Sequence, residues 1–391
     1  MNNLFLNGWR NYHIGEQEER DNVKFLFLEP FFGGSHRYFA EGLAAHSRHE
    51  IDLVTLPARF WKWRMRGAAL YFLKNIPSLE NYDGLITSDL MSLSDFRALI
   101  GPGCPPALVY FHESQITYPL APGEAMDVHF GFTDMTTALA AKRILFNSQT
   151  HFDAFFSKLP GFLKMMPDFR PTWVVDEIRS RAGVLHPGCG VESLNNGAPP
   201  VRSNPPLIIW NHRWEFDKNP KDFFLALDEM IKRGLDFRLA LLGENFQNCP
   251  KDFTAARKRY GKRIVRYGYE PSRLAYEKWL KEGTVVISTA WQENFGISMV
   301  EAISAGCIPL LPQRLSYPEL IPESSHKDFL YKNQEELVEN LARVLLGSSG
   351  SEIKIEKLSL EMERFSWGHM IPHYDDELKN LVMVQGPKMK G

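Results

Sequence analysis

A chain of 391 residues has room for two or three domains, and its 44% hydrophobic and 24% charged residues are ordinary for a globular protein with more than one core. The formal net charge of -2 gives no global sign of a nucleic-acid or membrane partner. Cys104, Cys189, Cys249 and Cys307 form no C-x-x-C pair, no run approaches the roughly 18 apolar residues of a membrane span, and the N-terminus has no signal-peptide pattern; a cytoplasmic protein with reduced thiols and no stable membrane insertion is expected.

The first 22 residues are polar and read as a loose extension. From Val23, short apolar runs alternate with amphipathic stretches. The runs are VKFLFLE from Val23, EIDLVTLP from Glu50, GLITSD from Gly84, ALVYFHE from Ala107, RILFNS from Arg143 and AGVLHPG from Ala182. They are short and rich in branched or aromatic residues, the pattern of parallel strands covered on both faces. Helical patterns such as HRYFAEGLAAHSR and FTDMTTALAAK lie between them. LNNGAPPVRSNPP, from Leu194 to Pro206, has no periodicity and reads as a linker. The alternation then restarts with LIIWNH from Leu207, FRLALLGE from Phe237, RIVRYGY from Arg263, TVVISTA from Thr284 and IPLLP from Ile308. NPKDFFLALDEMIKRG and GISMVEAISAG supply helices, and the tail after about Ser351 is helical and charged. The expected class is α/β, with two doubly wound Rossmann-like domains facing across a cleft: residues 23–195 and 206–365, followed by a helix and tail over 366–391.

The first loop, EPFFGGSHR, is not G-x-G-x-x-G, which argues against a nicotinamide cofactor. There is no P-loop, no H-E-x-x-H and no Asp-x-Asp, so no metal site or cofactor is expected, and phosphate binding falls to backbone amides and basic side chains. WQENFGISMVEA, from Trp291, places Glu293 and Glu301 eight residues apart around Gly296, after a strand and at the start of a helix. Free N–H groups and the dipole of that helix make an anion site, and the flanking carboxylates suit hydroxyl-rich groups beside a pyrophosphate. Helix capping by Glu293 and a surface Glu301 are the plainer alternative. NHRWEFDKNP brings Arg213 and Lys218 to a second cleft-facing loop, where they grip phosphate or are solvated charges. Gly33 and Gly34 serve either close ligand approach or a tight turn. His112 ends a strand and can hydrogen-bond sugar hydroxyls or be structural; His129, His151, His186 and His212 have mainly structural or supporting places. Tyr267 and Tyr269 border a nucleobase or pack. RFWKWRMRG, from Arg59, alternates cations and aromatics and reads equally as a nucleic-acid contact or an amphipathic cover.

EPFFGGSH, FHESQITYP, FNS at Phe146, NHRWEFDKNP, STAWQENFGISMVEA and SYPEL at Ser316 together resemble the retaining GT-B glycosyltransferases. Within these the chain is most similar to the glycosyltransferase-like domain-containing family that modifies queuosine in tRNA. The resemblance implies that Arg213 and Lys218 hold a donor pyrophosphate, with the amides of Asn294, Phe295, Gly296 and Ile297. It implies sugar contacts from Glu293, the ribose on Glu301, Tyr269 near the base, and His112 with the Gly33–Gly34 loop beside the sugar. The acceptor side would comprise Ser35, His36, Glu113, His129, Asp134, Arg64 and Arg66. The implied donor is GDP-mannose and the implied acceptor is the cyclopentene diol of queuosine in a tRNA anticodon, with the last helix crossing back to the first domain. The chain departs from the bacterial pattern at Asp134, where Asn is usual.

The expected chemistry is metal-independent retaining transfer, with His112, Arg213, Lys218 and Glu293 as the catalytic set. A GT-B transferase acting on a lipid, glycan or small molecule, and a non-catalytic nucleotide-sugar sensor, remain alternatives on the residues alone.

Overall fold

The computed structural model describes residues 23–76, 78–120, 123–194, 203–244, 251–348 and 352–383. The expected N-terminal extension, linker residues 195–202, Cys249 and the last eight residues lie outside the described residues.

The first unit is one six-stranded parallel sheet: β1 Lys24–Phe32, β2 Glu50–Pro57, β3 Gly84–Ser88, β4 Ala107–Phe111, β5 Arg143–Phe146 and β6 Ala182–Val184, in the order β2-β1-β3-β4-β5-β6. The second unit repeats the plan with β7 Leu207–Trp210, β8 Arg238–Leu241, β9 Ile264–Tyr267, β10 Val285–Ile287, β11 Ile308–Pro312 and β12 Leu330–Tyr331, in the order β12-β11-β10-β7-β8-β9. Eleven strands fall on the apolar runs read from the sequence. The two-residue β12 is too short to show a period, and its pairing of Leu330 with Leu311 is set by the neighbouring strand.

β1 shows why the runs are continuous rather than alternating. Leu26 and Leu28 join Phe72 and Phe96 on one face, while Phe25 and Phe27 join Phe39 and Trp367 on the other. Helices cover both faces, so the side chains from Phe25 to Glu29 are removed from water. The final described helix, Trp367–Val382, packs on the first unit: Tyr374 lies 5.5 Å from the Phe39 ring and donates to the His186 carbonyl at 2.7 Å, and Glu377 pairs with Arg143 at 2.7 Å.

Strand order reverses between β1 and β3 in the first sheet and between β7 and β10 in the second. At such reversals the following loops diverge to opposite faces and leave a crevice at the carboxyl edge. The two edges meet: Asn294, after β10, donates its Nδ2 to the His112 carbonyl, after β4, at 2.9 Å. Glu319 of the second unit accepts the Gln149 and Thr150 amides at 2.9 and 2.7 Å, which caps the helix Gln149–Lys164 of the first.

Candidate active site

The loops after β7 and β10 converge on Lys218. Its side chain is 7% exposed, and Nζ lies 2.6 Å from the Gln292 carbonyl and 3.3 Å from both Glu293 Oε2 and Asp217 Oδ2. Burial disfavours the ammonium, but Glu293 and Asp217 more than offset this and raise its pKa, so it stays charged. Arg213 is more open, with its guanidinium 3.3 Å from Glu215. Burial, chiefly, with Lys218 nearby, pushes the His212 imidazole down to about 3, so it adds no charge.

Gly296 holds φ +99°, a region closed to most L-residues, and launches the helix Ile297–Ser304. The first-turn N–H groups at Ile297 and Ser298 thereby sit at the carboxyl edge beside Lys218 and Glu293, which is the combination an anionic diphosphate requires. Phe295 is buried and anchors the loop between His186 and Phe365.

Glu301 points out of the same helix into a polar nest that sequence reasoning missed. Arg273 Nη1 donates to its Oε1, and the Tyr276 hydroxyl donates to Oε2 at 3.0 Å. Arg273 also reaches Glu277 at 2.7 Å and the Gly190 carbonyl at 3.0 Å, while Asn211 bridges Tyr276 and the Ser298 carbonyl. Glu301 is thus an oriented buried carboxylate rather than a surface residue. Ser272, which caps the helix Arg273–Glu282, was the available signal, since it fixes Arg273 in the first turn facing the cleft.

Across from these lie the loops after β1, β3 and β4. Glu29, fully buried, accepts from the Phe31 amide at 2.8 Å and Ser88 Oγ at 3.1 Å, and stands 3.2 Å from His36 Nδ1. The His36 ring packs against that of His112, with 4.0 Å between centroids and a 35° tilt. Burial opposes charge on His36, yet Glu29 prevails and raises its pKa; burial, with His36 and His151, holds His112 well below the usual histidine range. The two adjacent imidazoles are therefore shifted in opposite directions. The His112 amide donates to Asp89 at 2.8 Å and its carbonyl accepts from Asn147 and Asn294, each at 2.9 Å, so both units fix this residue. Among the described residues, Glu29, His36 and His112 form the one trio whose ligand atoms lie close enough, within 4.8 Å, to hold a metal ion.

Residues 24–189 match the family described as tRNA-queuosine alpha-mannosyltransferase N-terminal, and residues 194–357 match glycosyl transferases group 1. A tRNA-queuosine alpha-mannosyltransferase of Drosophila melanogaster is 33% identical over 364 residues, covering 90% of this chain and 95% of that protein. The chain belongs to the tRNA-queuosine alpha-mannosyltransferase family. A more distant relative, the GDP-mannose:cellobiosyl-diphosphopolyprenol alpha-mannosyltransferase of Xanthomonas oryzae pv. oryzae, is 23% identical over 88% of this chain and 84% of its own length. The fold is that of sucrose-phosphate synthase from Thermosynechococcus elongatus (TM-score 0.69, 13% identity, covering 92% and 99% of the two chains). It is also that of Anabaena HepE in complex with UDP (TM-score 0.62, 13% identity, 92% and 100%). These are GT-B glycosyltransferases, and the chain is a glycosyltransferase of that fold.

The other residues that the family resemblance placed in the site differ in setting. Gly33 has extended backbone at φ -169°, and a Cβ there would come 2.3 Å from that of Ala58, so its missing side chain is required by internal packing. Gly34, at φ +52°, supplies the turn, and Ser35 is exposed next to it. Asp134 is fully enclosed in the helix Val128–Ala140, where Oδ2 accepts Ser114 Oγ at 2.8 Å and the Gln115 amide at 2.6 Å; it pins the loop behind His112 and does not line the cleft. His129 is exposed in the first turn of that helix, and Glu113 accepts from Gln115 Nε2 at 3.2 Å. Tyr269 is 54% exposed, whereas Tyr267 packs on Trp214 at 4.7 Å between centroids. Arg64 is half-buried and Arg66 exposed, on the helix Trp61–Asn75 at the rim of the first unit. No described helix is long and apolar enough to cross a membrane.

Proposed function

We propose that the chain transfers mannose from GDP-mannose to queuosine in tRNA, with retention at the anomeric carbon, without a divalent metal, and in the cytoplasm. The observation that carries this reading is the identity with the Drosophila queuosine mannosyltransferase along almost its whole length. The Xanthomonas relative, whose name specifies GDP-mannose, supports the donor.

Breaking the anomeric C–O bond places negative charge on the leaving diphosphate. Arg213, Lys218 and the Ile297–Ser298 amides stabilise that charge as it grows, which is where preorganised donors have the most effect. Glu293, beside Lys218, accepts a mannose hydroxyl, and Glu301, oriented by Arg273 and Tyr276, accepts a ribose hydroxyl. The acceptor hydroxyl attacks from the face the diphosphate leaves, and its proton passes to the departing phosphate oxygen. The neutral His112 imidazole borders the sugar without adding charge to the forming oxocarbenium-like centre.

Labelled GDP-mannose, queuosine-containing or queuosine-free tRNA and excess EDTA, incubated with the purified chain, test the whole reading. Label on queuosine-containing tRNA alone is expected. Donor hydrolysis without labelled tRNA rejects the acceptor, and labelling that requires added Mg²⁺ rejects metal independence.

A further inference from the structure

From Leu53 to Leu79 the sequence has no Asp or Glu, yet it carries Arg59, Lys62, Arg64, Arg66 and Lys74, in a protein whose net charge is -2. Most of this stretch is the helix Trp61–Asn75. Met65, Ala68, Ala69 and Phe72 form its buried side. Its outer side near the N-terminus is Lys62, Trp63 and Arg66, with Trp63 77% exposed, the second most open of the large apolar side chains described. Just before the helix, Phe60 holds φ +57°, disfavoured for a bulky residue, while its ring is 59% exposed. Folding gains little from a strained backbone that keeps an aromatic ring in water.

The place of this corner in the fold gives it a use. β2 ends at Pro57, so residues 58–63 lie at the carboxyl edge of the first sheet, the edge that bears His36 and His112. Ala58 packs against Gly33 of the first loop, and the Trp61 ring lies 5.2 Å from Phe130, beside exposed His129. Arg64 leans back to donate to the Pro57 carbonyl. The cationic and aromatic side chains thus rim the acceptor half of the cleft, whereas the exposed aliphatic Leu70 and Leu73 lie further along the helix, away from it.

We propose that the Arg59–Phe60 corner and the first two turns of this helix hold the single-stranded loop of the RNA acceptor. A nucleobase stacks on Trp63, and backbone phosphates lie against Arg59, Lys62 and Arg66. Alternating cations and open π faces match a strand whose bases are unpaired and whose backbone is anionic; every base has a face to stack, so the platform adds affinity without reading sequence. This deepens the tRNA reading above and rests on it.

The test compares the full-length wild type with W63A, W63F, K62E/R66E and a charge-matched control, K258E/K262E, whose residues are exposed on the second unit. Binding of queuosine-containing tRNA is measured across a salt series, and transfer from GDP-mannose is measured on the same RNA. W63A should weaken tRNA binding on the order of 5- to 150-fold, and W63F should restore most of it. K62E/R66E should weaken it further and flatten the log–log salt slope by about 1.4, two phosphate contacts at roughly 0.7 each for a single strand. The control should match the wild type. Wild-type transfer to tRNA with W63A and K62E/R66E binding normally overturns the platform and leaves the tRNA reading intact. A wild type that neither binds nor mannosylates tRNA overturns both. Loss of binding to phosphatidylglycerol vesicles in these variants, with tRNA binding unchanged, makes the face a membrane contact and also overturns the proposal.

Discussion

Replacing Asp134 by Asn removes one buried ionisation and little else. Oδ2 of Asp134 already takes two hydrogen bonds, while Oδ1 meets no donor. Burial, the dominant cause, raises its pKa from 3.8 to about 7. Below the lower value the group is protonated in both folded and unfolded chains. Between the two values the folded chain keeps a proton that the unfolded chain has released, so stability falls as pH rises. Above about 7 the penalty is constant: 7 − 3.8 = 3.2 pH units, or ~4 kcal/mol at about 1.4 kcal/mol per unit. An Asn carbonyl accepts the same two hydrogen bonds and never ionises; its unpartnered amide costs about 1–2 kcal/mol at every pH. About 1.2 of the 3.2 units are already present at pH 5, so the stability gap should move in favour of Asp134→Asn by ~3 kcal/mol between pH 5 and pH 9. Urea midpoints of both proteins at pH 5, 7 and 9 read this, because other titrating groups cancel in the comparison. Parallel pH profiles would refute the buried, strongly shifted carboxyl. Since Asp134 bonds the loop behind His112, the variant should keep its turnover; turnover lost at intact stability would return the side chain to the acceptor pocket.

The two basic residues of the donor loop should behave differently. Arg213→Ala should cut transfer by ~10²–10³ with little change in stability, because the guanidinium is 42% exposed. Lys218→Ala should also lose about 3–5 kcal/mol in denaturation, because Asp217 and Glu293 are left without their buried cation; equal melting of the two variants would contradict this. Gly296→Ala places a Cβ at φ +99° and should cost roughly 1–3 kcal/mol while weakening GDP binding, measured by calorimetry, as the helix N-terminus is re-aimed. Gly33→Ala should lower stability by about 1–3 kcal/mol through the clash with Ala58, and the double variant Gly33→Ala/Ala58→Gly should recover most of it.

The proposed donor half could be read from the sequence because its signals are local. A strand, a loop with Glu293, Gly296 and a helix bearing Glu301 follow one another within a few residues, and Arg213 and Lys218 follow β7 directly. The acceptor half was harder. His36 and His112 lie on different elements, and nothing in either segment announces that their rings meet or that Glu29 raises the pKa of one of them. Asp134 was placed on the acceptor side by the family resemblance, not by a local signal. Only the packing of its helix against the Ser114–Gln115 loop shows that it faces inward.

Apolar runs closed by turn residues, and the restart of the pattern after the linker, determined two parallel α/β units, because burial on both faces of a strand is written in its composition. Loop chemistry at the strand ends marked out the Arg213–Lys218 and Glu293–Gly296 loops on which the proposed donor site rests. The meeting of the two carboxyl edges through Asn294 and His112, and the Arg273–Tyr276 grip on Glu301, were decided by tertiary structure alone. So was the packing of Gly33 against Ala58. Each joins residues far apart in the chain, where periodicity and propensity carry no information and only the close packing of distant elements selects the partner.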